Sequence, residues 1–183
     1  MARVEKERVE VTSRAEWRAW LEEHHATSPG IWLVTWKKAT PDKHTSYEDT
    51  VLEALCFGWV DSQAKGVDEL RTSMTMTPRR PNSRWTQRNR ERVEELEAAG
   101  LMTPAGRAQV DAARASGAWD ELRDVEALVE PEDLRALLDA DPAARARWEA
   151  LSASAKFQHL LRLHDTKRPE TRARRIAEIR SGT

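Results

Sequence analysis

Residues 54–85 read ALCFGWVDSQAKGVDELRTSMTMTPRRPNSRW, and three kinds of structure follow one another within them. Ala54 to Cys56 close an amphipathic helix, and Gly58 suits the left-handed conformation through which a chain leaves a helix. Trp59 to Ala64 and Leu70 to Thr77 then predict two strands joined by a turn around Lys65-Gly66-Val67-Asp68. In the first of them Phe57, Trp59 and Asp61 project one way, and Val60, Ser62 and Ala64 the other. Pro78 ends the hairpin, and PRRPNS is too rich in proline for regular structure. Ser83 is placed to cap a helix running to about Ala99, with Trp85, Asn89, Val93 and Leu96 as its inner stripe. A hairpin set between two helices makes this part of the chain α+β.

Toward the N-terminus, Arg8 to Thr12 alternates valine with charge and reads as a short edge strand. Ser13 and Glu16 form a capping box for a helix that carries Trp17, Trp20, Leu21 and His24 on one face. GIWLVTWKK (30–38) is rich in aromatic and β-branched residues and predicts a strand. Trp32, Val34 and Trp36 lie on one face and Ile31, Leu33, Thr35 and Lys37 on the other, so the strand is expected to be central. Thr45 or Ser46 begins the next helix, whose buried face is Val51, Leu52, Leu55 and Cys56.

Toward the C-terminus, Thr103-Pro104 supplies a cap and an N1 proline, and the helix after it ends near Ser116-Gly117. No strand follows. Pro131 and Pro142 read as N1 residues of short helices. A longer helix from about Ser154 turns Phe157, Leu160 and Leu161 inward. A last one from about Pro169 buries Ala173, Ile176 and Ile179. The expected fold is therefore α+β: a small, mainly antiparallel sheet of about four strands packed with helices, then an all-helical extension. Residues 1–117 form the expected core domain and 118–183 the extension.

Composition narrows the function classes. A chain of 183 residues with 33% charged and 39% hydrophobic residues fits a soluble helix-rich protein. A formal net charge of -1 gives no global pull toward nucleic acid or membrane. No apolar run approaches the roughly 20 residues of a spanning helix, and the charged start MARVEKERVEV does not read as a signal peptide. With Cys56 as the lone cysteine, these features point to the cytoplasm and against membrane insertion. Eight tryptophans against two phenylalanines and one tyrosine leave two uses open for the indoles, core filling and the lining of a cleft.

The densest chemical signal is TPRRP followed by Ser83. Arg79 and Arg80 beside a helix N-terminus would hold a phosphate or carboxylate through paired hydrogen bonds and dipole attraction. Trp59 and Trp85 would supply a stacking or cation–π surface. Asp61, with Asn89, would orient the ligand, or Asp61 would act as a general base. The structural alternatives are ordinary surface arginines, or an ion pair joining Asp61 to an arginine or to Lys37. The implied partner is an anionic small molecule or a protein. The C-terminal run KRPETRARRIAEIR is interrupted by glutamates and reads as a packing helix with a solvated face, which disfavours nucleic acid.

Metal and cofactor chemistry find no motif. His24 and His25 are adjacent, and His159 and His164 are five apart, outside the i, i+4 spacing that joins two ligands on a helix. Cys56 at an apolar helix end reads as a core residue rather than an activated thiolate. No nucleophile elbow, phosphate loop or dinucleotide fingerprint occurs, so no cofactor is expected.

The blocks SRAEWRAWLEEHH, GIWLVTWKK, YEDTVLEALCFGWVDS, TPRRPNSRWTQRNRERVEEL, GLMTPAG and TKRPETRARRIAEI resemble the YdeI/OmpD-associated, or bacteriocin-protection, family over nearly the whole chain. The resemblance implies a small cytoplasmic bacterial protein associated with envelope stress or bacteriocin tolerance, without an established enzymatic activity. Its motif positions are Trp17, Trp20, Trp32, Lys37, Gly58, Trp59, Asp61, Arg79, Arg80, Ser83, Trp85 and Asn89. Val60, Ser62 and Thr86 depart from the expected pattern, and Ser62 in place of glycine would narrow a ligand's approach.

Overall fold

Side-chain alternation over residues 31–36 is realised as a central strand with both neighbours paired. The computed structural model describes residues 6–81 and 83–182. Within Met1–Asp120, one of two compact units, four strands run in the order β1-β2-β4-β3 among the described residues. They are β1 (Arg8–Glu10), β2 (Ile31–Trp36), β3 (Trp59–Gly66) and β4 (Arg71–Pro78). The hairpin pairs β3 with β4 antiparallel, β4 pairs antiparallel with β2, and β1 adds a parallel edge. The mainly antiparallel α+β expectation is met.

Among the described residues this unit has the α-helices α1 (Arg14–His24), α2 (Tyr47–Cys56), α3 (Gln87–Ala98) and α4 (Pro104–Ser116) and a 3-10 turn at Pro41–Lys43. Ser13 caps α1 by accepting the Glu16 N–H. The Glu16 carboxylate reaches back to the N–H and hydroxyl of Thr12, one residue earlier than the simple box predicts. Ser46 caps α2 and Thr103 caps α4. The register puts Ile31 opposite Met76 and Leu33 opposite Met74, so these four share the face on which the core is built. Trp17, Leu21, Val51, Leu55 and Trp59 cover part of that face.

A buried carboxylate joins the first two helices. Glu53 is 2% exposed and accepts from Arg14 Nε at 2.6 Å and Arg18 Nη1 at 2.8 Å. It sits inside a helix face predicted to be apolar, whereas Leu52 is only half-buried. An ionised glutamate is tolerated there because two cations from α1 compensate its lost hydration.

The hairpin turn lies two residues later than its sequence suggests. Asp68 Oδ1 accepts the backbone N–H groups of Leu70 and Arg71, which fixes the reversal at 67–70. A β-bulge between Asp61 and Ala64 shifts the register of β3.

The second unit, Glu121–Thr183, contains α5 (Arg123–Glu126), α6 (Glu132–Ala140), α7 (Pro142–Ala150), α8 (Ala153–His164) and α9 (Pro169–Ser181). Leu134, Leu138, Trp148, Leu160, Leu163, Ile176 and Ile179 form its core. Pro142 and Pro169 occupy N1, but Pro131 sits one residue earlier, at the N-cap of α6. Ala173, expected inside, is exposed, because Ile176 and Ile179 set the buried stripe of α9 one turn further on. Its arginines are engaged: Arg172 with Asp133, Arg180 with Asp141, Arg174 with Glu178, and Arg175 with the Arg162 carbonyl.

The crossing of α4 over the end of α2 allows no side chain at Gly106. A Cβ there would stand 2.3 Å from the Cys56 carbonyl oxygen and 2.8 Å from its carbon. Gly106→Ala should therefore lower unfolding stability by about 2–3 kcal/mol through overpacking. Gly66→Ala, with nothing within 4 Å of the new methyl, should change it by no more than about 0.5 kcal/mol. Urea denaturation of the two variants side by side checks this, and equal midpoints would contradict the packing described.

Candidate functional site

The chain turns at Pro78, and the next residue places a guanidinium inside the protein. The Arg79 backbone N–H donates to the Gly58 carbonyl at 2.9 Å, where Gly58, with φ of +74°, turns the chain from α2 into β3. The Arg79 side chain is 5% exposed. Its guanidinium carbon lies 3.8 Å from the centre of the Trp85 ring. Nη1 donates to the Arg84 carbonyl at 3.1 Å. Nε and Nη2 are buried and have no hydrogen-bond partner among the described residues. Those two atoms form the side-on edge through which arginine grips a carboxylate or phosphate with two parallel bonds. Burial pushes the Arg79 guanidinium down to about 10, with the Asp61 charge acting in the opposite sense.

Aromatic and cationic groups alternate behind this edge. Trp85 packs against Trp119 with ring centres 4.9 Å apart, and Arg114 lies 4.8 Å above Trp119. Arg90, also buried, fixes both tryptophans by donating to the carbonyls of Trp85 at 2.7 Å and Trp119 at 3.3 Å.

On the other side stands a polar cluster. Asp61 Oδ2 accepts from the Tyr47 hydroxyl at 3.0 Å. Burial, then the Asp61 charge, raises the Tyr47 phenol above its ordinary value. Arg92 donates to Glu48 through Nε and Nη2 and to Asn89 Oδ1 at 3.0 Å. Arg92 and Arg88 together hold the Glu48 carboxyl below the usual range.

The predicted site residues therefore separate. Arg79, Trp85 and Asp61 belong to one neighbourhood, and Asn89 serves it indirectly by orienting Arg92. Trp59 is in the core, 1% exposed, with Trp17 and Trp20 packed edge-on to it and its N–H given to the His25 carbonyl. Its ring has no face for a ligand. Arg80 is exposed, opposite in environment to Arg79. Ser83 does not cap the helix. Its hydroxyl accepts from the Arg80 N–H, and its own N–H donates to the Arg80 carbonyl. Thr86 takes the cap, because seating Trp85 beneath Arg79 holds the chain out of helical geometry until that point. The stripe of α3 rotates accordingly to Arg90, Arg92, Val93 and Leu96.

Lys37 is at the far end of the sheet. The ladder pairs Trp36 with Arg71 and Trp59 with Pro78, a span of roughly 23 Å along β4. Lys37 Nζ donates to the carbonyls of Asp68 and Glu69. Tyr47, Glu48, Arg90, Arg92 and Trp119 were not singled out in the sequence. The signal available was the i, i+4 pair Arg88 and Arg92 after the Thr86 cap, which puts two cations on one side of α3.

Among the described residues no group of three or more His, Cys, Asp or Glu side chains is placed to hold a metal, and no helix is long and apolar enough to cross a membrane. The fold and this cluster define an α+β domain built around a buried arginine. Residues 9–109, more than half of the chain, match the family described as a domain of unknown function, DUF8412, and the chain belongs to that family. Residues 127–181 match the family described as bacteriocin-protection, YdeI or OmpD-associated. That match covers the C-terminal part. The blocks from SRAEWRAWLEEHH to GLMTPAG lie in the region matched by the first family. No curated protein and no solved structure matches the chain.

Cys56 is a core residue. Burial, assisted by the nearby Glu53 charge, pushes its thiol up to about 11 from an ordinary 9.0. Between those values the unfolded chain has released a proton that the folded chain retains. Stability contributed by the thiol is thus complete below pH 9 and falls as pH rises toward 11. Urea midpoints at pH 8 and pH 10.5 should show a steeper loss for the wild type than for Cys56→Ala.

Proposed function

We propose that the chain is a binding protein whose Arg79 edge receives an anionic group, either a small oxyanion or the carboxylate of a partner. The observation that carries this reading is the unpaired Nε and Nη2 pair of Arg79. A buried guanidinium lacking two hydrogen bonds costs stability that a bidentate anion would restore. Trp85 holds the guanidinium carbon 3.8 Å from its ring centre, so the group is already positioned when the anion arrives. Asp61, held back by Tyr47, is the internal competitor for the same edge. A part in bacteriocin tolerance belongs to the same proposal, supported by the family description of residues 127–181, as does a cytoplasmic location, which the single cysteine favours. Arg80, Pro81 and residues 83–86 lie outside regular secondary structure, which suits the local opening that entry to an enclosed edge requires.

Thermal unfolding in chloride, acetate, phosphate, sugar phosphates and acidic peptides, at constant ionic strength, tests the proposal. A ligand at a hundred times its Kd adds about 2.7 kcal/mol to stability and raises the melting temperature by several degrees. Arg79→Met should melt no lower than the wild type in chloride, since an unpaired charge gives way to an apolar chain of similar length, and should lose the anion response. Arg79→Lys keeps the charge without the fork and should lose most of it. An Arg79→Met protein that is less stable yet still responds to the same anions would refute the reading.

A further inference from the structure

A second candidate lies at the end of β2 and β4, beside the start of α2. β2 and β4 continue past the core, and the register sets Leu33 opposite Met74 and Thr35 opposite Thr72 on the helix-bearing face. The loop after β2 folds back over this end. His44 Nδ1 bonds the Trp36 carbonyl at 2.7 Å, and Trp36 and His44 form a parallel bridge. The result is a cleft of about 550 Å³ between the sheet, the loop and the start of α2. That volume is within the range of sites for small organic ligands, about 300–1,000 Å³.

Three features define what would fill it. The floor is apolar: Leu33 and Met74 flanked by two threonines. In the wall, Thr45 is 4% exposed, and its Oγ1 is buried with no hydrogen-bond partner among the described residues. A buried hydroxyl left unpaired costs stability unless an occupant bonds it. At the mouth, Lys37 and Lys38 line the cleft, and neither forms an ion pair among the described residues. Lys37 is positioned by its bonds to the Asp68 and Glu69 carbonyls, which leave its charge uncompensated. The acid in the lining, Glu48, is already clamped by Arg92 and Arg88.

We propose that this cleft binds an apolar carboxylic acid, with its hydrocarbon or aryl body over Leu33 and Met74, an oxygen on Thr45 Oγ1 and its charge toward Lys37 and Lys38. The site stands without the Arg79 reading. The two share Tyr47 and Glu48, which line the cleft while the Tyr47 hydroxyl bonds Asp61 and the Glu48 carboxylate pairs with Arg92.

The test uses 8-anilinonaphthalene-1-sulfonate as a fluorescent occupant of the full chain, displaced by 4-phenylbutanoate or by the uncharged 4-phenylbutan-1-ol. The acid should displace the dye at roughly one-tenth of the alcohol concentration, the gain expected of a charge-assisted contact. Lys37→Ala/Lys38→Ala should bring the two competitors together. Thr45→Val should weaken the acid several-fold while the melting temperature holds or rises. Thr35→Trp and, independently, Met74→Trp should fill the cleft and abolish dye fluorescence with an unchanged circular dichroism spectrum. Equal displacement by acid and alcohol in the wild type, or full dye binding in both tryptophan variants, would overturn the proposal. Arg79→Met should leave dye binding intact, which separates failure here from failure of the anion reading.

Discussion

A guanidinium that water cannot reach constrains most of the first unit. Desolvating Arg79 is unfavourable by several kcal/mol on general grounds, and its compensation is partial: one carbonyl, one indole face and the distant charge of Asp61. The Trp85 ring must sit against it, so residues 83–86 stay out of the helix and Thr86 becomes the cap. Trp85 in turn rests on Trp119, and Arg90 ties the carbonyls of both. The start of α3 and the end of the first unit are thus set by the seat of one side chain.

Elsewhere in the same unit charge is buried on different terms. Glu53 has two arginines in contact, and Arg92 has a carboxylate and an amide. Both are satisfied through hydrogen bonds to the charged form, the condition under which buried ions are retained without a large penalty. Arg79 and Thr45 Oγ1 break that rule. Buried polar groups are almost always paired, so these exceptions among the described residues mark places where this unit has unused bonding capacity.

Five tryptophans are buried, and three of those found a bond for the indole N–H: Trp17 to the Thr50 carbonyl, Trp59 to the His25 carbonyl and Trp148 to Glu130. Half-buried Trp36 gives its N–H to Glu10. Core filling therefore accounts for Trp17 and Trp59, while Trp85 is the indole that also meets the candidate site. This distinction was not legible in the chain, since a strand tryptophan reads alike in a core and in a cleft. Ser83 and Thr86 illustrate the same limit. Both are good caps three residues apart, and a contact between Arg79 and Trp85 chooses between them.

Local sequence by itself determined the elements. The cap at Ser13, a cap at Thr45 or Ser46, the cap and proline at Thr103-Pro104, the left-handed Gly58 and the alternation in 31–36 each act over a few residues, and each was realised, with Ser46 taking the second cap. It also singled out Arg79 and Asp61, because two arginines between prolines after a strand are chemically conspicuous. Tertiary structure alone decided that Arg79 is inside and Arg80 outside, that Trp59 is core, and that Lys37 is at the other end of the sheet. The register of the ladder and the desolvation of particular atoms depend on residues distant along the chain, and no local pattern encodes them.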